Sequence, residues 1–210
     1  DSTIDNQAYC GDEPGLERTL KGILGLDRVT LCARDGALIS AVPAQGANMP
    51  SGTTHVLISV GGNNALGEIA MLKRKVGDVG DACKVLLELS HSITTRLESM
   101  LKEFLSAHGR GKQVILCSVY EPRFAHFGVT NVDQEAIRAA AMILAYAIDA
   151  IAFRLGLPVI DLQRVCTEPD CFANPIEPNS RGSSQMAQAL VQVLRLHKNS
   201  GYARYPLQPL

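Results

Sequence analysis

Residues 56–64, Val-Leu-Ile-Ser-Val-Gly-Gly-Asn-Asn, constrain this chain more than any other stretch. Four of the first five are aliphatic, and the run ends in two glycines and two asparagines. A short apolar run that meets Gly-Gly is the pattern of a parallel strand, buried on both faces, running into a tight turn. Asn63 and Asn64 then fall at the carboxyl end of that strand, where open α/β sheets place their ligands. An asparagine amide held there can donate a hydrogen bond to an oxyanion. Asparagine is also a common turn former, and both readings stand at this point.

A strand buried on both faces needs helices on both sides, and the rest of the chain supplies them. Residues 14–25 have Leu16, Leu20, Ile23 and Leu24 on one helical face, with Pro14 suited to the first turn and Gly25 to the stop. Residues 28–33 are strand-like and end in the turn signal Asp35-Gly36. Pro43 and Pro50 break any long element within 37–50. After the strand at 54–60, residues 81–107 carry Leu86, Leu89, Ile93, Leu97, Met100, Leu101 and Phe104 at helical spacing. Residues 113–119 form a second buried strand, and a loop over 121–130 contains Pro122, His126 and Gly128. Asn131, with Gln134 in the capping-box position, is expected to start an Ala-rich helix that ends near Gly156. A short strand at 158–161, a polar loop over 163–181, a last helix over 183–196 and a peripheral tail complete the chain.

This alternation predicts a parallel sheet with helices on both faces, in one domain spanning residues 1–210. Four strands are visible; a fifth lying before Asp1 would complete a five-stranded sheet, so the chain is read as truncated at its amino end. The 210 residues are 46% hydrophobic and 20% charged, enough for a large core without staples. Lys and Arg number 20 against 21 Asp and Glu, which gives no support to a nucleic-acid partner. Aromatic residues are 5% and Trp is absent, which argues against base-stacking platforms. No stretch reads as the ~20 apolar residues of a membrane span. The spacings of the six cysteines match no zinc pattern. They are expected to be mostly free thiols, although Cys166 and Cys171 are close enough in sequence to pair in an oxidising compartment.

The strand ends collect the residues that can do chemistry: Gly36, Asn63, Glu121, His126 and Asp161, with Ser2 added if a strand precedes it. A serine in a strand-to-helix turn, beside a backbone amide and an Asn amide, is the geometry of acyl transfer. Four stretches in order resemble the sequence blocks of the SGNH (GDSL-type) hydrolases. "DSTIDN" resembles their first block without its glycine, and Asp35-Gly36-Ala37 falls where the second block has a glycine. "GGNN" resembles their Gly-x-Asn-Asp block, and "NPIEPNSRGSSQMAQAL" resembles the Asp-x-x-His block with the helix that follows it. The resemblance is to bacterial-type members with a Gly-Asp-Ser-x-x-Asp-Asn start and an Ile-Glu-Pro fifth block. It implies a three-layer α/β/α, flavodoxin-like fold and ester hydrolysis through an acyl-enzyme on Ser2. It further implies an oxyanion hole of the Ser2 and Gly36 amides and the Asn63 side chain, with no cofactor or metal.

Two departures bear on the chemistry. Asn64 stands where that block has aspartate, and the Asp-x-x-His positions read Asn174-Pro175-Ile176-Glu177. A serine hydroxyl is a poor nucleophile unless a base takes its proton. Burial raises a glutamate toward the useful range, so Glu177 is one candidate base and His126, in the loop after a strand, is the other. Asn64 and Asn174 are candidate substrate contacts, and Asp5 and Asn6 are expected to tie down the Ser2 turn. The expected partner is a small-molecule ester. The alternative is an SGNH-fold module that has lost catalysis and binds an acylated ligand or a protein. A nucleotide site at Gly61, Gly62 and Gly67 lacks both the dinucleotide fingerprint and the phosphate-loop lysine. Oligomeric state is not legible, and any signal peptide would precede Asp1; the residues themselves lead to the expectation of a soluble, cytoplasmic protein.

Overall fold

The structure is a computed structural model that describes residues 1–197 and 201–206. In chain order the elements are α1 (Leu16–Leu24), α2 (Val42–Gly46), β1 (His55–Ile58), α3 (Gly62–Gly67), α4 (Val79–His108), β2 (Gln113–Cys117), α5 (Gln134–Leu155), β3 (Val159–Ile160), α6 (Leu162–Val165), α7 (Ser180–Leu196) and β4 (Arg204–Tyr205). The four strands form one parallel sheet in the order β1-β2-β3-β4. Ile58 lies opposite Leu116, Cys117 opposite Ile160, and Ile160 opposite Tyr205.

Strand alternation divides the core in two. Ile58, Val114, Leu116 and Val159 face α4 and α5, where Ile93, Leu101, Phe104, Ile148 and Ile151 are at most 2% exposed. Ile115, Cys117 and Ile160 face the other way, onto Leu16 and Leu20 of α1 and Met186, Ala187 and Leu190 of α7. Helices therefore cover both faces of the parallel sheet, as the apolar character of 56–60 and 113–119 required. Each fully buried Leu or Ile contributes about 1.5–3 kcal/mol, so the two clusters are ample to hold the layers.

The differences from the sequence reading have local causes. Among the described residues the sheet has four strands rather than five, and residues 28–33 do not join it. Residues 29–33 and 54–59 instead line one cavity of about 770 Å³, so the extended segment has no ladder partner. The fourth strand, β4, comes from the tail expected to be peripheral. Arg204 is drawn there by Asp161, which is 0% exposed: its Nε donates to Asp161 Oδ2 at 3.0 Å. Two residues fixed by an ion pair leave no periodic signal. Helix α5 starts after Asp133, not Asn131, because the Asp133 carboxylate accepts from the Glu135 and Ala136 amides. Gln134, expected in a capping box, instead donates to Glu121 and to the Pro122 carbonyl. Helix α7 starts three residues earlier than expected, capped by Asn179 through the Arg181 and Gly182 amides. The 163–181 loop holds the end of α6, a single 3-10 turn at Pro169–Cys171 and a bridge between Phe172 and Pro178. Cys166 and Cys171 are unpaired, as are the other four cysteines.

Helix α5 also corrects the membrane reading. By length and composition it is apolar enough to cross a bilayer. Its Ile137, Ala141, Leu144, Ala145, Ile148, Ile151 and Ala152 are nonetheless buried in the protein, which accounts for the composition of that face.

Candidate active site

Ser2 lies in a turn closed by the Ile4 and Asp5 amides, which both donate to the Asp1 carbonyl, at 3.1 and 3.0 Å. The Asp1 carboxylate accepts from the Thr3 amide (3.2 Å), and the Asp1 nitrogen donates to the Ser59 carbonyl (3.0 Å). These bonds set Ser2 against the carboxyl end of β1. There Gly61 turns the chain into α3 with φ +114, a conformation that excludes residues with a Cβ. The same turn brings Asn63 and Asn64 to the site.

Glu177 arrives from the opposite side on the loop before α7. That loop is pinned at four consecutive residues. The Arg123 amide donates to the Pro175 carbonyl (2.7 Å), the Tyr120 hydroxyl to the Ile176 carbonyl (2.6 Å), the Ala173 amide to the Glu177 carbonyl (2.8 Å) and the Asn6 side chain to the Pro178 carbonyl (3.1 Å). Asn174 accepts from the Ile176 and Glu177 amides, so it shapes the turn. Gly182 lets α7 press on this loop: a Cβ there would meet the Cys171 carbonyl oxygen at 2.5 Å. Asn6 is 1% exposed and fully used, since it also donates to Ser183 Oγ (2.6 Å) and accepts from the Leu16 amide (2.9 Å). It ties the Ser2 turn to α1, α7 and the Glu177 loop together.

Ser2 and Glu177 are each 5% exposed and line the same cavity with Asn63. The Ser2 side chain interacts with the Glu177 carboxyl, and Oε2 of that carboxyl is buried without a hydrogen-bond partner. Burial pushes the Glu177 carboxyl up from 4.5 to about 7; the Ser2 contact opposes that rise, and Asp35 adds to it. A carboxyl poised there exchanges a proton readily at neutral pH.

The remaining expected residues are arranged unevenly. Asn63 Nδ2 donates to the Ala37 carbonyl (3.2 Å), which ties it to the Gly36 loop. An amide nitrogen has two hydrogens, so one is left for the cavity. Gly36 takes φ +72, is exposed and does not line the cavity. Its loop is held by the Asp35 amide donating to Asp5 (2.9 Å) and by the Tyr9 hydroxyl donating to Asp35 (2.7 Å). Asn64 accepts from the Ile39 amide (3.1 Å), and neither it nor Asn174 lines the cavity. His126 is exposed on a turn, its ring edge-on to Phe127, outside the cavity lining. Tyr120 was not legible as a site residue: nothing in the sequence marks its hydroxyl as the clamp on Ile176. No group of His, Cys, Asp and Glu able to hold a metal occurs among the described residues.

No protein-family model and no curated protein matches the sequence. Solved structures do resemble the fold. A phospholipase A1 from Streptomyces albidoflavus superposes with a TM-score of 0.65 at 17% identity, over 93% of this chain and 95% of that one. An extracellular lipase from Streptomyces rimosus superposes with a TM-score of 0.56 at 18% identity, over 92% and 94% of the two chains. At such identities the likeness establishes a shared α/β fold with a parallel sheet. The expectation of a cytoplasmic protein finds no support among these neighbours.

Proposed function

We propose that the chain is a serine ester hydrolase of the SGNH type in which Glu177 takes the place of the usual histidine. The observation that carries this reading is the buried Ser2–Glu177 pair at an apolar cavity, with the carboxyl raised to about 7. The ionised Glu177 accepts the Ser2 Oγ proton as Oγ attacks the ester carbonyl. The carbonyl oxygen gains the negative charge and accepts hydrogen bonds from the free Asn63 N–H and from the Ser2 amide; Gly36, outside the cavity, acts through the Ala37 carbonyl beside it, which orients Asn63. The C–O bond to the alcohol then breaks, and protonated Glu177 returns its proton to the departing oxygen. Water, deprotonated in turn by Glu177, attacks the acyl-serine; the acid leaves and Ser2 recovers its proton. The lipolytic descriptions of the two Streptomyces neighbours agree with this chemistry.

Asn174 acts here as a turn former that aims Glu177, not as a substrate contact. The absence of histidine from the cavity lining is what favours a second reading, a non-catalytic module that binds acylated ligands. Hydrolysis of p-nitrophenyl acetate and butyrate separates the two. The enzyme reading expects turnover by the wild type that is lost in Ser2→Ala and in Glu177→Gln and retained in His126→Ala. Turnover that survives Ser2→Ala, or its absence from the wild type, overturns it.

A further inference from the structure

The cavity that opens on Ser2 has walls unlike its rim. Its polar lining residues, Ser2, Asn63 and Glu177 among them, gather at the strand ends and the loops beside them, apart from Ser90 on α4. Beyond them come Leu66 of α3, Ile69 and Leu72 of the 3-10 turn after it, Leu86, Leu89 and Ile93 of α4, and Ile137, Ala140, Ala141 and Leu144 of α5. It has a volume of about 100 Å³. Its α4 and α5 walls favour apolar guests, because water against them finds few hydrogen-bond partners. This space also lies on the sheet face occupied by α4 and α5, so a guest in it is enclosed by packed helices. Along those walls a polar alcohol or sugar moiety meets one hydroxyl, that of Ser90, among aliphatic side chains.

We infer that this cavity is an acyl-chain site: it takes the first several carbons of an unbranched acyl group between α4 and α5, with the ester carbonyl left at Ser2. Ala140 and Ala141 are its specificity-determining residues, because they are the small side chains that α5 presents between Ile137 and Leu144, and their size leaves the space open. This inference rests on Ser2 as the nucleophile for its catalytic meaning, but the cavity's preference for an alkyl chain does not. A chain seated there shields Glu177 from solvent, so substrate binding and the raised carboxyl share one cause. The limited volume sets a limit on length. Chains beyond the medium range gain nothing further, since their remaining carbons lie outside.

The test compares p-nitrophenyl acetate, butyrate, hexanoate, octanoate and palmitate as substrates of the wild type, Ala141→Leu and Ala140→Leu. Octanoate binding to Ser2→Ala is measured beside it by calorimetry, and circular dichroism confirms that each variant is folded. Each methylene buried on the way to the transition state raises kcat/KM by about threefold to fourfold. The profile is therefore expected to climb from acetate to hexanoate or octanoate and to level off by palmitate. The ratio of octanoate to acetate kcat/KM should fall at least tenfold, about the worth of two methylenes, in a folded Ala→Leu variant. Ser2→Ala should bind octanoate. Acetate turnover with a flat or falling chain-length profile overturns the acyl-chain site and leaves the hydrolase reading intact. No turnover of any ester overturns the hydrolase reading; octanoate binding then upholds the site, and its absence overturns the site as well.

Discussion

Replacing Glu177 by Gln should make the protein more stable at neutral and alkaline pH while abolishing its activity. Burial holds the folded-state carboxyl near 7, against 4.5 for an ordinary glutamate. Between these values the unfolded chain has released its proton and the folded one retains it. Folding stability therefore falls as pH rises through this window, and it levels off above pH 7. At about 1.4 kcal/mol per pKa unit, the full penalty is on the order of 3 kcal/mol. The glutamine side chain of the variant cannot ionise, and it fills the same volume. The stability difference, variant minus wild type, should thus be smallest near pH 4, grow between pH 4.5 and 7, and reach about 2–3 kcal/mol by pH 8. Urea unfolding of both proteins at half-unit pH steps measures it directly. A difference that does not change with pH, or a wild type that gains on the variant as pH rises, would refute the burial of an ionisable carboxylate with one unpartnered oxygen at this position.

The same group fixes the pH dependence of catalysis: Glu177 is a base only when ionised, so kcat/KM for p-nitrophenyl butyrate should rise with pH through about 7 and then level off. Asn63→Ala removes one oxyanion donor and should lower kcat by about 10²–10³ with little change in KM, read in the same assay. Tyr120→Phe leaves the Ile176 carbonyl without its donor; unfolding should show a loss of about 1–2 kcal/mol. Arg204→Met leaves the buried Asp161 carboxylate with only the longer Arg164 and Ser118 contacts, both 3.5 Å, and should cost about 3 kcal/mol in denaturant unfolding.

The sequence showed best those parts of the molecule that repeat a pattern. Helices α1, α4 and α5 carry their burial at the helical period and strand 113–117 is an apolar run buried on both faces, so their positions were legible within a few residues. Gly61 announced the sharp turn after β1, and the Ser2, Asn63 and Glu177 stretches announced residues that share one cavity. What was missed depends on single long-range partners. Strand β4 exists because Arg204 finds Asp161, and residues 28–33 stay out of the sheet because no strand lies alongside them among the described residues. The clamp of Tyr120 on Ile176 and the role of Asn174 inside its own turn are likewise set by where two loops meet. His126, in a loop after a strand, stood in the sequence as the alternative base to Glu177; the burial of Glu177 and the exposure of His126 separate them.

The most direct measurement is covalent labelling by a fluorophosphonate, followed by intact mass and peptide mapping. An unactivated serine does not react, so the reagent reports the Ser2–Glu177 pair itself and needs no knowledge of the natural ester. The account predicts one adduct per chain, on Ser2, at a rate that rises with pH through about 7 and that collapses in Glu177→Gln. An unlabelled wild type, an adduct on another residue, or labelling undiminished in Glu177→Gln would contradict it.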